Sequence, residues 1–121
     1  MKHDNVEYKV IPEKQIVTAT IKGIQNDPIH VFNDRFMAHA TSDIEIGAWW
    51  NQKFMMPYSM KAVARCIPDD EFSVEKGKQI ALKKLSEKYN RSLDRHLMHI
   101  ANAMKKCLDN MDVYFTKHKM I

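Results

Sequence analysis

Glycine and proline are scarce: three glycines and four prolines in 121 residues. All of them fall before residue 78, so the turns belong to the N-terminal part. Gly-rich phosphate loops are absent, which excludes a Walker motif and a Rossmann fingerprint. Only two cysteines occur, Cys66 and Cys107, with no Cys-x-x-Cys pair. That argues against a disulfide framework and a structural zinc site. The N-terminus, Met1-Lys2-His3-Asp4-Asn5, is polar and predicts no signal peptide. No apolar run approaches the roughly 18 residues of a membrane span. Repeats and low-complexity stretches are also missing. A single cytoplasmic domain over 1–121, with reduced thiols, is the expectation.

What is present suits a globular fold. Hydrophobic residues make up 45% and charged residues 28%. Formal net charge is +4, an excess that favours anionic partners but also serves plain solubility.

The N-terminal part, 1–67, reads as an antiparallel sheet. Val6, Tyr8 and Val10 share a face, and Pro12-Glu13-Lys14 makes a turn. Val17, Ala19 and Ile21 then alternate with Thr18, Thr20 and Lys22. Asn26-Asp27-Pro28 breaks the chain. Residues 29–40 fit either a strand pair or a short helix, and Ile44 and Ile46 fit a short strand. The clearest strand spans Tyr58 to Ile67. Met60, Ala62, Ala64 and Cys66 form one face, small enough for a helix to pack closely. Lys61, Val63, Arg65 and Ile67 form the other.

The C-terminal part, 73–118, reads as a helical hairpin. Ser73 is the N-cap of a helix over about 74–89, with Glu75 in its first turn. Gly77 lies inside that helix at a cost of about 1 kcal/mol relative to alanine, which suggests that another backbone, or a ligand, comes close there. Asn90 can close the helix and Ser92 can cap the next. Leu93, Leu97, Ile100, Met104, Leu108, Met111 and Phe115 then mark a second helix reaching about residue 117. At about 37 Å it outruns the first helix, and a dimer sharing it is expected. The fold class is thus α+β: an N-terminal antiparallel sheet followed by two long amphipathic C-terminal helices.

Chemistry-bearing patterns are weak. His96 and His99 have ligand spacing but no nearby third ligand, and read as solvated. Asp69, Asp70 and Glu71 read as helix capping rather than acid–base groups. Cys66 and Cys107 read as small core residues, not nucleophiles. Trp49-Trp50 fits a sheet edge or subunit contact better than a base-stacking platform. No catalytic apparatus, cofactor or metal is therefore expected. Phe72 is a hydrophobic staple or a stacking platform. With Lys61 and Arg65 on the preceding strand, and Lys76 and Lys78 on the helix, it makes the best candidate nucleotide pocket.

The stretch Ala62-Val63-Ala64-Arg65-Cys66-Ile67-Pro68-Asp69-Asp70-Glu71-Phe72-Ser73-Val74-Glu75-Lys76-Gly77-Lys78 is similar to a segment recurring in small phage proteins. There, a strand ends in an acidic turn, then an aromatic, then a Gly-bearing helix. The order of sheet then helices resembles the phage anti-Thoeris sponges of the first type. That resemblance implies a non-catalytic anti-defence protein. Such a protein binds and sequesters a cyclic nucleotide immune signal, a cyclic ADP-ribose isomer or also a cyclic oligonucleotide, in the host cytoplasm. It also implies assembly of dimers into hexamers. The family grips its ligand with an aromatic at the start of the first helix, matched by Phe72, and a C-terminal arginine, matched by Arg95. Phe72, Arg65, Lys61, Lys76 and Arg95 are thus the ligand-binding candidates. The alternatives are a small phage nucleic-acid-binding regulator, drawing on Lys83-Lys84, Lys105-Lys106 and Lys117-Lys119, and a protein inhibitor of a host enzyme.

Overall fold

The computed structural model describes residues 5–36, 52–66 and 71–117. The readings placed on Ile44, Ile46, Trp49, Trp50, Ile67, Asp69, Asp70 and Lys119 lie outside the described residues.

Strand β1 (Glu7–Ile11) turns through a short 3-10 segment at Pro12–Lys14 into β2 (Ile16–Lys22). Gln15 closes the turn with φ of 52°, the left-handed conformation. Helix α1 (Asp27–Phe36) follows, so 29–36 of the ambiguous stretch is helical and 37–40 lies outside the described residues. Strand β3 (Ser59–Arg65) returns to the other side of β2. All neighbours are antiparallel, giving the order β1-β2-β3. The chain is therefore α+β, with an N-terminal sheet preceding the long helix.

Alternation sorts the sheet's two sides as the sequence suggests. Val17, Ala19 and Ile21 of β2 oppose Ala64, Ala62 and Met60 of β3, and all six are buried. Lys61 and Arg65 point to the exposed side. The buried side carries helix α2 (Val74–Lys117) through Ala81, Leu85 and Tyr89. Small residues bring helix and sheet close together. A Cβ built on Gly77 would lie 2.6 Å from Cγ2 of Val17, which is fully buried. The neighbour at Gly77 is thus a side chain of the central strand rather than the backbone or ligand expected.

One expectation fails. The helical region is not a hairpin: α2 runs unbroken for 44 residues, about 66 Å. Ala81, Leu85, Tyr89, Ser92, His96 and Ile100 form one buried stripe with helical spacing. It passes straight through the expected break at Asn90–Ser92. Asn and Ser cost a helix interior less than about 0.7 kcal/mol each, and no Gly or Pro interrupts the stripe there. Ser92 is buried within the helix rather than capping it.

Farther along, Ile100 meets Ile29 and Phe32 of α1 and Phe54 in a second small core. Beyond Met104 the helix leaves the body, and every residue from 105 to 117 is exposed. Cys107 is exposed with it, correcting its reading as a core residue: the sheet ends before reaching it. Cys66, at the end of β3, is half-buried.

Tyr89 ties α2 to the start of α1. Its hydroxyl donates to Oδ2 of Asp27 at 2.7 Å. Burial raises the phenol above its ordinary value, and the hydrogen bond to Asp27 and that carboxylate's charge raise it further. A raised folded value means the contribution is intact below the unfolded phenol's value of about 10 and is lost as pH climbs through the folded value. Tyr89→Phe should cost about 1–2 kcal/mol at neutral pH, leaving Asp27 without its donor. The variant should also flatten the fall in stability above pH of about 10. Urea titrations of both proteins across that range measure this.

Candidate functional site

Strand β3 and the first turns of α2 enclose a cavity of about 270 Å³. Its walls include Arg65 and Cys66 from the end of the strand, then Glu71 and Phe72 from the approach to the helix. Ser73, Lys76, Gly77 and Ile80 supply the helical side. Local sequence places them. Ala64 and Cys66 share the strand face turned to the helix, and Gly77 lets the helix approach that face. Ser73 fixes where the helix starts: its Oγ accepts from the Lys76 backbone N–H at 3.2 Å. Phe72 is half-buried and packs on the main core while lining the cavity.

The cavity sits at the N-terminal end of a long helix, where backbone N–H groups lack intrahelical acceptors and the dipole favours anions. Lys76 adds a cation and Glu71 a carboxylate, and Arg65 borders the cavity from the strand end, its side chain starting from the sheet's other face. An aromatic ring, a cation, a bordering arginine and one acceptor is a set suited to a nucleoside phosphate. The ring stacks on a base, cations meet phosphate, and a carboxylate accepts from hydroxyl or amino groups.

Three of the five expected ligand residues therefore meet: Phe72, Arg65 and Lys76. Two do not. Lys61 lines a different cavity, of about 420 Å³, with Thr20, Ser59 and Lys88. It is four residues upstream of Arg65, about 13 Å along the strand. Arg95 is exposed and lies 19 residues beyond Lys76, about 28 Å along an unbroken helix. A hairpin would have folded it back, and the continuous helix carries it away. Lys78 is also elsewhere, with Nζ 5.5 Å from the centre of the Tyr8 ring. Glu71, Ser73 and Ile80 were missing from the expected site. The signal for them was the helical interval: Ser73, Lys76, Gly77 and Ile80 recur at three or four residues.

The solvated reading holds for His99, which is exposed, and fails for His96. His96 is buried, and its Nδ1 donates to the Ser92 carbonyl at 2.6 Å. His99 Nδ1 donates to the Lys53 carbonyl at 3.2 Å. Among the described residues no three potential metal ligands lie together, and no helix is long and apolar enough to cross a membrane.

In comparisons with known proteins, no family model, curated protein or solved structure matches the chain.

Proposed function

We propose that this protein is a non-catalytic binder that sequesters a cyclic nucleotide immune signal, a cyclic ADP-ribose isomer or a related cyclic nucleotide. On this reading it is a phage anti-defence protein acting in the host cytoplasm. The observation carrying the reading is that Phe72, Arg65 and Lys76 line one cavity at the N-terminal end of α2. The resemblance of the sheet-then-helix order to the anti-Thoeris sponges supplies the ligand class. Sequestration demands nanomolar affinity, about −12 kcal/mol. A stacked base and charge-assisted bonds in a desolvated site are the interactions able to reach it. The cavity is at the small end for ligand sites, so one chain grips only part of such a ligand.

A second copy follows from the same reading. Leu108, Met111 and Phe115 stand 60%, 47% and 60% exposed on the free end of α2. Cys107, Met111 and Tyr114, spaced by four and three, continue on the exposed end the register of Leu97, Ile100 and Met104, which packs within the chain on α1 and Phe54; the exposed part has the spacing of a two-helix coiled-coil seam. Pairing of these stripes makes the homodimer, the unit from which a hexamer is built. Met111→Asp should shift the sedimenting mass toward the single chain while leaving the far-ultraviolet circular dichroism of the body in place. An unchanged mass would remove this contact from the proposal.

The direct test is native mass spectrometry of the purified protein with a panel of cyclic ADP-ribose isomers and cyclic oligonucleotides, followed by denaturation and recovery of the ligand. A ligand retained and returned intact supports sequestration. A shortened ligand makes the protein an enzyme. If no member of the panel is taken up, the sponge reading fails and nucleic acid or a host protein becomes the partner to seek.

A further inference from the structure

The two outer edges of the sheet are treated differently. Along β3, the outward carbonyls of Lys61 and Val63 each receive a helix lysine. Lys88 Nζ and Lys84 Nζ stand 3.3 Å from them. Charged side chains laid along an edge strand block pairing with another chain. Among the described residues, strand β1 has no such cover. It pairs only with β2, and among the described residues no strand lies on its other side.

The sequence of that open edge is self-complementary. Val6-Glu7-Tyr8-Lys9-Val10 reads symmetrically about Tyr8, with valines outermost and opposite charges between. The register with β2 assigns the faces. Tyr8 and Val10 sit opposite Ala19 and Val17 on the helix side, whereas Glu7 and Lys9 sit opposite Thr20 and Thr18 on the open side. Val6 packs against the main core.

We propose that two copies of this chain join along β1, antiparallel and centred on Tyr8, so that the two sheets become one of six strands. In that register each Glu7 faces the other copy's Lys9, each Val6 faces a Val10, and the two tyrosines meet on the two-fold axis. The neighbouring registers fail. Centring on Glu7 opposes two carboxylates, and centring on Lys9 opposes two ammonium groups. A shift by a single residue sets the helix side of one copy against the open side of the other. Glu7 and Lys9 are both exposed and available for the contact. The existing Glu7–Lys22 pair, at 3.7 Å, joins two well-exposed side chains and leaves Glu7 free to add a second partner. Tyr8 is 37% exposed even with Lys78 over its ring. The contact lies on the sheet, apart from the Phe72 cavity and from the free end of α2, and does not rest on the ligand reading.

Charge reversal tests it, read by sedimentation equilibrium on the full chain. Glu7→Lys and Lys9→Glu should each weaken association at least tenfold, because each places like charges opposite one another twice. The double reversal Glu7→Lys with Lys9→Glu should restore it. A wild-type chain that stays monomeric overturns the proposal, as do single reversals without effect or a double reversal that recovers nothing. Where a reversal prevents folding, Tyr8→Cys decides, in a Cys66→Ser, Cys107→Ser background. Directly opposed strand residues have Cα atoms about 4.5–5.5 Å apart, within disulfide reach. Mild oxidation should give a covalent dimer with Tyr8→Cys and none with Glu13→Cys, in the turn. Equal, weak cross-linking of both overturns the register.

Discussion

Gly77→Val is expected to destabilise the protein by about 3 kcal/mol, a large share of the roughly 5–15 kcal/mol that holds a domain folded. The new Cβ would sit 2.6 Å from Cγ2 and 3.2 Å from Cβ of Val17. Val17 cannot step aside. It is fully buried in the central strand, and a β-branched side chain in a strand has little rotamer freedom. Relief must come from the helix lifting off the sheet, which opens the packing of Ala81 and Leu85 beneath it. Gly77→Ala separates the two terms at this position. At an exposed helical site the exchange gains about 1 kcal/mol. Here it should lose stability, because overpacking of about 1–3 kcal/mol outweighs the gain. In a Val17→Ala background the obstructing methyls are gone, and the same exchange should become stabilising by about 1 kcal/mol. A double-mutant cycle in urea reads the coupling directly. A gain in both backgrounds would mean that helix and sheet are not in contact at residue 77.

That glycine also shows how much of the molecule was legible beforehand. Its unfavourable place inside a helix pointed to a close neighbour, and the alternation of Met60, Ala62 and Ala64 pointed to the face that would receive the helix. Ser73 was readable as a cap because its hydroxyl has one local task. These features are local or have a short period, so sequence carries them. The break at Asn90–Ser92 was misread because weak helix formers and a capping residue look the same in sequence whether or not a body lies beneath them. Burial of Ser92 and His96 decides the matter, and that is a tertiary fact. The same error displaced Arg95 from the site. Lys61 was misplaced for another reason: period two shares a face among Lys61, Val63 and Arg65 but does not say how far along the strand a cavity extends. His96 and Cys107 exchanged environments relative to expectation. The body reaches the first and stops short of the second.

If the protein binds a cyclic nucleotide as proposed, Phe72→Leu is expected to weaken that binding by about 10–100-fold, with little loss of stability. Leucine keeps most of the apolar volume that Phe72 packs on the core, but it has no π-face for a base. Stacking on an aromatic is worth about 1–3 kcal/mol per base. Lys76→Gln and Arg65→Gln should each cost about tenfold or more, with a shallower dependence of affinity on salt, since each removes one cation at or beside the cavity. Lys61→Gln and Arg95→Gln provide the contrast. Within one chain both lie away from the cavity, so their effect should be under about threefold. Calorimetric titration of the five variants with the ligand identified by mass spectrometry gives the pattern. Equal losses at all five positions would point to nonspecific attraction by the protein's positive charge. A loss confined to Phe72, Arg65, Lys76 and Arg95 would instead mean that a second copy brings its Arg95 to the cavity, since a helix about 66 Å long cannot bend its own back.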